Sequence, residues 1–228
     1  MAAIRRMSES DKKSVAVWDG PTRVFHWLIV ALIPAAYATA RPNWMEWHAR
    51  VGYALLVALL FRLLWGVLGG QTARFANFLA SPGAALRHLK HLFRPESDRQ
   101  VGHNPAGGWM VIALIGLMLG QSLTGLYVAN DIADDGPLTE RVPAAVATFI
   151  EDAHDILLWR ALEAAIVLHL AAILAYAAFN GQNLVLPMLT GRKLLAARTP
   201  APSMASGRRA LLLLACAAAA AAALVHFL

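Results

Sequence analysis

Residues 151–176, EDAHDILLWRALEAAIVLHLAAILAY, carry two histidines, His154 and His169, at the start and in the middle of one apolar run. The run, about 155–179, is near the roughly 20 residues that cross a bilayer's hydrocarbon layer as a helix. On a single α-helix, two residues 15 positions apart lie about 22 Å apart along the axis and about 60° apart around it. His154 and His169 therefore share a face but stand near opposite leaflets. Titratable rings at membrane depth are costly and mark function by default.

Working outward, three more runs of membrane-spanning length occupy about 24–40, 47–68 and 108–129, and an alanine-rich fifth covers about 210–228. With 58% hydrophobic residues, the chain is more apolar than a soluble domain of its length needs to be. The expected fold is an all-α integral membrane protein, a four-helix transmembrane bundle plus a fifth C-terminal transmembrane helix. Its parts are a leader (1–23), a transmembrane domain (24–195), and a linker with the last helix (196–228). Pro34 falls inside the first span, which a membrane helix tolerates. AYATA at 36–40 looks like the end of a signal peptide, but the leader is long and holds Asp19 and Pro21, unlike a short positive n-region.

Charge sets the expected orientation. Basic residues concentrate in the leader (Arg5, Arg6, Lys12, Lys13, Arg23), after the second span (Arg74, Arg87, Lys90, Arg94, Arg99) and after the fourth (Arg192, Lys193, Arg198, Arg208, Arg209). The opposite face has little beyond Arg41, Arg50 and Arg141, and carries an acidic loop with Asp131, Asp134, Asp135 and Glu140. The positive-inside rule makes the N-terminus cytoplasmic and, after five spans, the C-terminus periplasmic in a bacterial inner membrane. Insertion topology accounts for the sequence pI of about 10.0 without a nucleic-acid partner. SPGAALRHLKHLF, from Ser81, reads as a short interfacial helix with Ser81 as N-cap, Pro82 at its first position, and Leu86, Leu89 and Phe93 on one side.

Depth sorts the membrane histidines into pairs. His48 opens the second span at its outer end, level with His154. His26 lies 14 residues before Ala40, about 21 Å down the first span, near the depth of His169. Imidazole is a strong axial ligand of haem iron, and facing helices with one histidine each can hold a haem between them. His26 with His169 and His48 with His154 are thus the candidate axial ligands of two haems b. The single cysteine, Cys216, and the absence of CxxCH leave only non-covalent attachment. A hydrogen bond to a neighbouring helix or a proton relay is the alternative for any one of these histidines.

The remaining polar candidates stay open between two readings. Arg62 and Arg160 suit haem propionates, or else snorkelling and, for Arg160, an ion pair with Glu163. His103, just before the third span, suits a propionate or a quinone head group, or else a helix cap. His88 and His91 read as solvated interface residues, as does His226.

The motifs VWDGPTRVFHWLIV, WHARVGYALL followed by FRLLWGVLGG, RFANFLASP, GHNPAGGWM, and EDAHDILLWRALEAAIVLHLAAILAY leading to GRK resemble the bacterial cytochrome b561 family. That family also includes the b-type cytochrome subunit of nickel hydrogenases. The resemblance runs from about 15 to 195. It implies a four-helix membrane cytochrome with two haems b that exchanges electrons with quinone in a respiratory chain. Its ligand pattern falls on His26, His48, His154 and His169. The fifth span departs from it. The expected function is electron transfer between the quinone pool and a redox partner on the periplasmic side, such as a cytochrome c, with quinone oxidoreductase activity compatible with the sequence. The alternatives are the membrane subunit of a hydrogenase or other respiratory dehydrogenase, and a haem-free transporter with a histidine proton relay.

Overall fold

The computed structural model describes residues 12–90, 100–128 and 136–227. The calls on Arg5, Arg6, His91, Phe93, Arg94, Arg99, Asp131, Asp134 and Asp135 lie outside the described residues. Five helices are long and apolar enough to cross a membrane. In chain order the elements are β1 (Lys12–Ala16), α1 (Gly20–Ala40), α2 (Met45–Leu68), α3 (Phe75–Phe78), α4 (Pro82–Lys90), α5 (Pro105–Thr124), α6 (Ala144–Asp152), α7 (Trp159–Asn180), α8 (Val185–Thr190), β2 (Arg192–Ala196) and α9 (Gly207–Phe227). The protein is thus a multi-pass membrane protein.

Local chemistry sets several of the boundaries. Asp19 caps α1, its Oδ1 accepting from Thr22 N at 2.8 Å, with Pro21 in the first turn. Asn104 caps α5 in the same way through Gly107 N at 2.7 Å. These caps satisfy backbone donors that a helix start leaves unpaired. The short basic helix forms over Pro82–Lys90, with Ser81 Oγ accepting from Ala84 N at 3.3 Å. The fourth span differs from the sequence expectation. α6, a π-helical segment (Ala153–Leu158) and α7 form one 37-residue rod, about 55 Å long against about 30 Å of hydrocarbon. The extra turns lie at the Ala144 end, where Glu151, Asp152 and Asp155 favour an aqueous setting.

The bundle is organised around α2, whose most apolar stretch is 44% buried against 6% for α1. Leu55 and Leu59 pack with Ile29 of α1, Ile115 and Met118 of α5 and Leu162 of α7. α9 covers another side of α2: Ala217 packs with Phe61 and Trp65, and Ala221 with Leu56. Small side chains let membrane helices approach closely, so the alanine-rich span is a packed element of the bundle.

One end of the bundle is tied together by the chain termini of the four-span unit. β1 pairs antiparallel with β2, Lys12 opposite Ala196 and Ala16 opposite Arg192. Gly191, at φ +77°, accepts from Val17 N at 2.8 Å and Trp18 N at 3.1 Å. A Cβ there would sit 2.9 Å from the Trp18 carbonyl, so the position requires glycine on both counts. Arg192 donates to Ser14 Oγ and carbonyl, at 2.8 and 3.1 Å. Lys193 reaches the Gln100 carbonyl at 3.1 Å, and Thr72 the Val17 carbonyl at 2.7 Å. The segments flanking the spans at 12–18, 71–74, 100–103 and 191–196 therefore meet at one end, which is also the basic end.

Beneath this clasp, the Asp19 carboxylate is buried and accepts from Trp65 Nε1 at 3.2 and 3.3 Å. Trp65 itself is fully buried. Asp19→Ala removes both the helix cap and the partner of the indole N–H, and is expected to lower stability by about 2–4 kcal/mol. Asp19→Asn retains the cap and is expected to cost less. Thermal unfolding in detergent micelles measures both, and equal midpoints for Asp19→Ala and wild type would exclude this keystone role.

Candidate functional site

The two expected histidine pairs sit at opposite ends of the bundle, and the His48–His154 pair is held in a defined way. The His48 and His154 rings face each other with centroids 6.3 Å apart and planes at 87°. Each ring is anchored through Nδ1. His48 Nδ1 donates to the Ala36 carbonyl of α1 at 2.9 Å. His154 Nδ1 lies 3.0 Å from Thr124 Oγ1, whose single proton is directed to the Gly120 and Gln121 carbonyls at 2.7 and 3.1 Å. The threonine oxygen is therefore the acceptor and His154 Nδ1–H the donor. In both rings this leaves Nε2 with its lone pair, the tautomer that binds a metal. Metal–imidazole bonds of about 2 Å put two rings sharing one ion about 6 Å apart between centroids.

The π-helical segment positions His154. Such a turn takes in one extra residue, so 14 effective steps of about 100° leave His154 and His169 about 40° apart around the axis, not about 60°. The His154 carbonyl in this segment accepts from Gln121 Nε2 at 3.0 Å. Gly125 supplies the room: a Cβ there would lie 2.9 Å from His154 Cε1. Gln121, Thr124 and Gly125, all near the end of α5, support His154 together. Sequence reasoning missed all three, because they contribute an amide, a hydroxyl and an absence of side chain to a neighbouring helix.

At the basic end, His26 interacts electrostatically with His169 and packs edge-on against Trp27 at 5.0 Å. His103 is half-buried between Trp18 and Phe78, 4.6 Å from each ring centroid. Burial pushes its pKa down to about 3, and the positive charge of Arg62, His169 and His26 adds to that effect. His103 is thus neutral, and four of the expected residues converge here. Arg62 is buried, lies 4.8 Å over the Phe75 ring and interacts with Asp19.

This end contains buried polar atoms without hydrogen-bond partners: Thr22 Oγ1, His26 Nδ1, Arg62 Nη1 and His103 Nδ1. Such groups cost about 1–3 kcal/mol each and are uncommon in native proteins. A guanidinium and imidazole N–H groups are donors for a carboxylate. The donor set therefore fits a haem whose propionates reach Arg62 and His103, with imidazoles as axial ligands.

Two other expectations resolve differently. Arg160 is on the exposed side of α7, paired with Glu163 at 2.8 Å, the ion-pair alternative for this residue. His88 is not a solvated interface residue: its Nε2 is 2.8 Å from the Tyr176 hydroxyl, which also accepts from Asn104 Nδ2 at 3.0 Å. That junction docks α4 against α7 beside the start of α5.

Two outcomes are expected. In the haem-free protein, between pH about 6.5 and 3 the unfolded chain binds a proton at His103 that the folded protein refuses, so stability is lost as pH falls through this window, by at most about 1.4 kcal/mol per unit. His103→Gln flattens that acid limb, as measured by denaturation across pH. Gly125→Val drives a side chain into the His154 ring and is expected to lower bound haem per chain, measured as the pyridine haemochrome. Gly116→Ala, whose Cβ meets nothing within 4 Å, leaves the haem content unchanged.

The sequence model of prokaryotic cytochrome b561 matches residues 17–191, from the residue before Trp18 to the glycine of the clasp. No curated protein and no solved structure matches the chain. The matched segment spans most of the chain and includes all the candidate histidines, with α9 lying outside it. The chain belongs to the prokaryotic cytochrome b561 family, and is a membrane b-type cytochrome of electron transfer.

Proposed function

We propose that the protein holds two non-covalent haems b, one between His48 and His154 and one between His26 and His169, and carries electrons between quinone and a redox partner across the membrane. The observation that carries this reading is the facing His48–His154 pair, with both Nδ1 atoms engaged by α1 and α5. Bound haem supplies one-electron chemistry at an iron whose potential the axial ligands and surroundings tune. The chain's own part is to fix the imidazole tautomers, exclude water with the α1–α2–α5–α7 core, and offer Arg62 and His103 to the propionates at the basic end.

By the positive-inside rule the basic end faces the cytoplasm of a bacterial inner membrane, and the His48–His154 pair lies near the periplasmic side. A quinone head group has access on that side through a groove of about 390 Å³ lined by Ile33, Pro34, Tyr37, Trp159 and Glu163. Tyr37 and Trp159 stack across it at 5.3 Å, and Tyr37 adjoins Ala36, the residue that orients His48. The partner in this reading is a periplasmic cytochrome c or a dehydrogenase or hydrogenase subunit.

Acid-acetone extraction is expected to release two haems b per chain. In stable variants, His48→Ala or His154→Ala removes one spectral component, and His26→Ala or His169→Ala the other. A single haem in fully loaded protein, or loss of the same component from His26→Ala and His154→Ala, overturns the pairing. In liposomes, quinol is expected to reduce the haems, and its failure in both orientations removes the quinone role.

A further inference from the structure

The part of the chain outside the family match joins the end of α2 in a second polar site at the basic end. After β2 the chain crosses beneath the end of α2 before entering α9. Gln71 N donates to the Ser203 carbonyl at 2.8 Å, and Ser203 N to Gln71 Oε1 at 3.0 Å. Between this crossing segment and the α2 terminus lies a cavity of about 230 Å³, with Gly69, Gly70, Arg74, Ser203, Met204 and Arg209 in its wall.

Two guanidiniums line this cavity, and neither has an acidic partner. Among the described residues the ion pairs are Arg50 with Glu46 and Arg160 with Glu163, on α2 and α7 away from this end. Arg209 donates one bond, to the Leu68 carbonyl at 3.1 Å, and the Arg74 Nε–H is buried without a partner. The C-terminus of α2 carries only about half a negative charge. The Asp19 carboxylate lies behind Gly70 of the cavity wall and is balanced by Arg62, so the two guanidiniums leave the cavity net cationic. A guanidinium fork matches the geometry of phosphate oxygens.

The surroundings indicate where the phosphate comes from. Val67 and Leu68 on α2, and Leu211 and Leu212 on α9, are exposed directly beside the cavity's end of those helices. In a membrane protein those side chains face acyl chains. A cationic pocket above an apolar, lipid-facing notch between two spans is the arrangement that takes an anionic lipid head group. We infer that Arg74 and Arg209 bind the phosphate of an anionic phospholipid, which joins the end of α2 to the start of α9. This site is independent of the haem assignment.

The holoprotein is reconstituted in phosphatidylcholine vesicles with or without phosphatidylglycerol, and retained lipid is measured by native mass spectrometry. Selective retention of phosphatidylglycerol is expected. Arg74→Gln combined with Arg209→Gln is expected to weaken it about thirtyfold, the effect of two basic residues at an anionic surface. The charge-matched pair Arg87→Gln and Lys90→Gln on α4 retains it. Equal retention by the two double variants overturns the site.

Wild-type protein gives a test that does not depend on the variants folding. Phosphatidylglycerol vesicles, but not phosphatidylcholine alone, are expected to protect Arg74 and Arg209 from phenylglyoxal. Equal modification in both overturns the proposal. Protection of the detergent-solubilised protein by inorganic phosphate as strong as that by the lipid assigns the pocket to a free anion and overturns its lipid source.

Discussion

An imidazole inside a bilayer must have its N–H satisfied, and the choice of partner decides which nitrogen is left to bind anything else. His48 and His154 meet this constraint through Ala36 and Thr124, one on each of the two helices that flank the pair. The partners are a backbone carbonyl, which can only accept, and a hydroxyl whose proton is already directed elsewhere. His48 cannot adopt the other tautomer without losing its bond, and His154 can do so only by taking the Thr124 proton away from the Gly120 and Gln121 carbonyls. The spacing of α1, α2, α5 and the rod containing α7 all feed into this arrangement, because each helix contributes a ring or the atom that holds one.

The two ends of the bundle satisfy their polar groups in different ways. At the His48 end the protein supplies partners for both imidazole Nδ1 atoms, and Gln121 Oε1 is left without one. At the basic end Asp19 satisfies the α1 start and Trp65, whereas Thr22, His26, Arg62 and His103 retain buried atoms without partners. That asymmetry points to a charged ligand at the second end, and the β1–β2 clasp with the crossing tail closes this region from the solvent side. The segment that leads into the fifth helix is part of the same closure, since a Cβ on Gly70 would lie 2.6 Å from Asp19 Oδ2 and 3.4 Å from Ala205 N.

The spans, the short amphipathic helix and the depth of the histidines were legible because hydrophobic length, caps and the rise per residue act locally. The π-helical segment at 153–158 was not: AHDILL carries no local signal for an i→i+5 turn, and its contacts with Gln121 and Thr124 come from a helix distant in sequence. Gln121, Thr124 and Gly125 were hidden because their role depends on which helix lies opposite. His88 looked like an ordinary polar residue of a basic helix until Tyr176, 88 positions away, came into reach. Asp19 and the GRK glycine stood within recognised motifs, but their long-range partners, Trp65 and Trp18, emerge only in the folded chain.

The clasp also imposes an order on biogenesis. β1 is made before the four spans, and its partner β2 begins 176 residues after β1 ends, from Ala16 to Arg192. At about 5–20 residues per second, the leader waits roughly 10–40 s with an unpaired strand edge while four spans enter the bilayer. Both strands must end on the same side to meet, so a span that fails to insert, or inserts backwards, leaves the edge open. Closure of the small sheet is thus conditional on the insertion of every span between its strands.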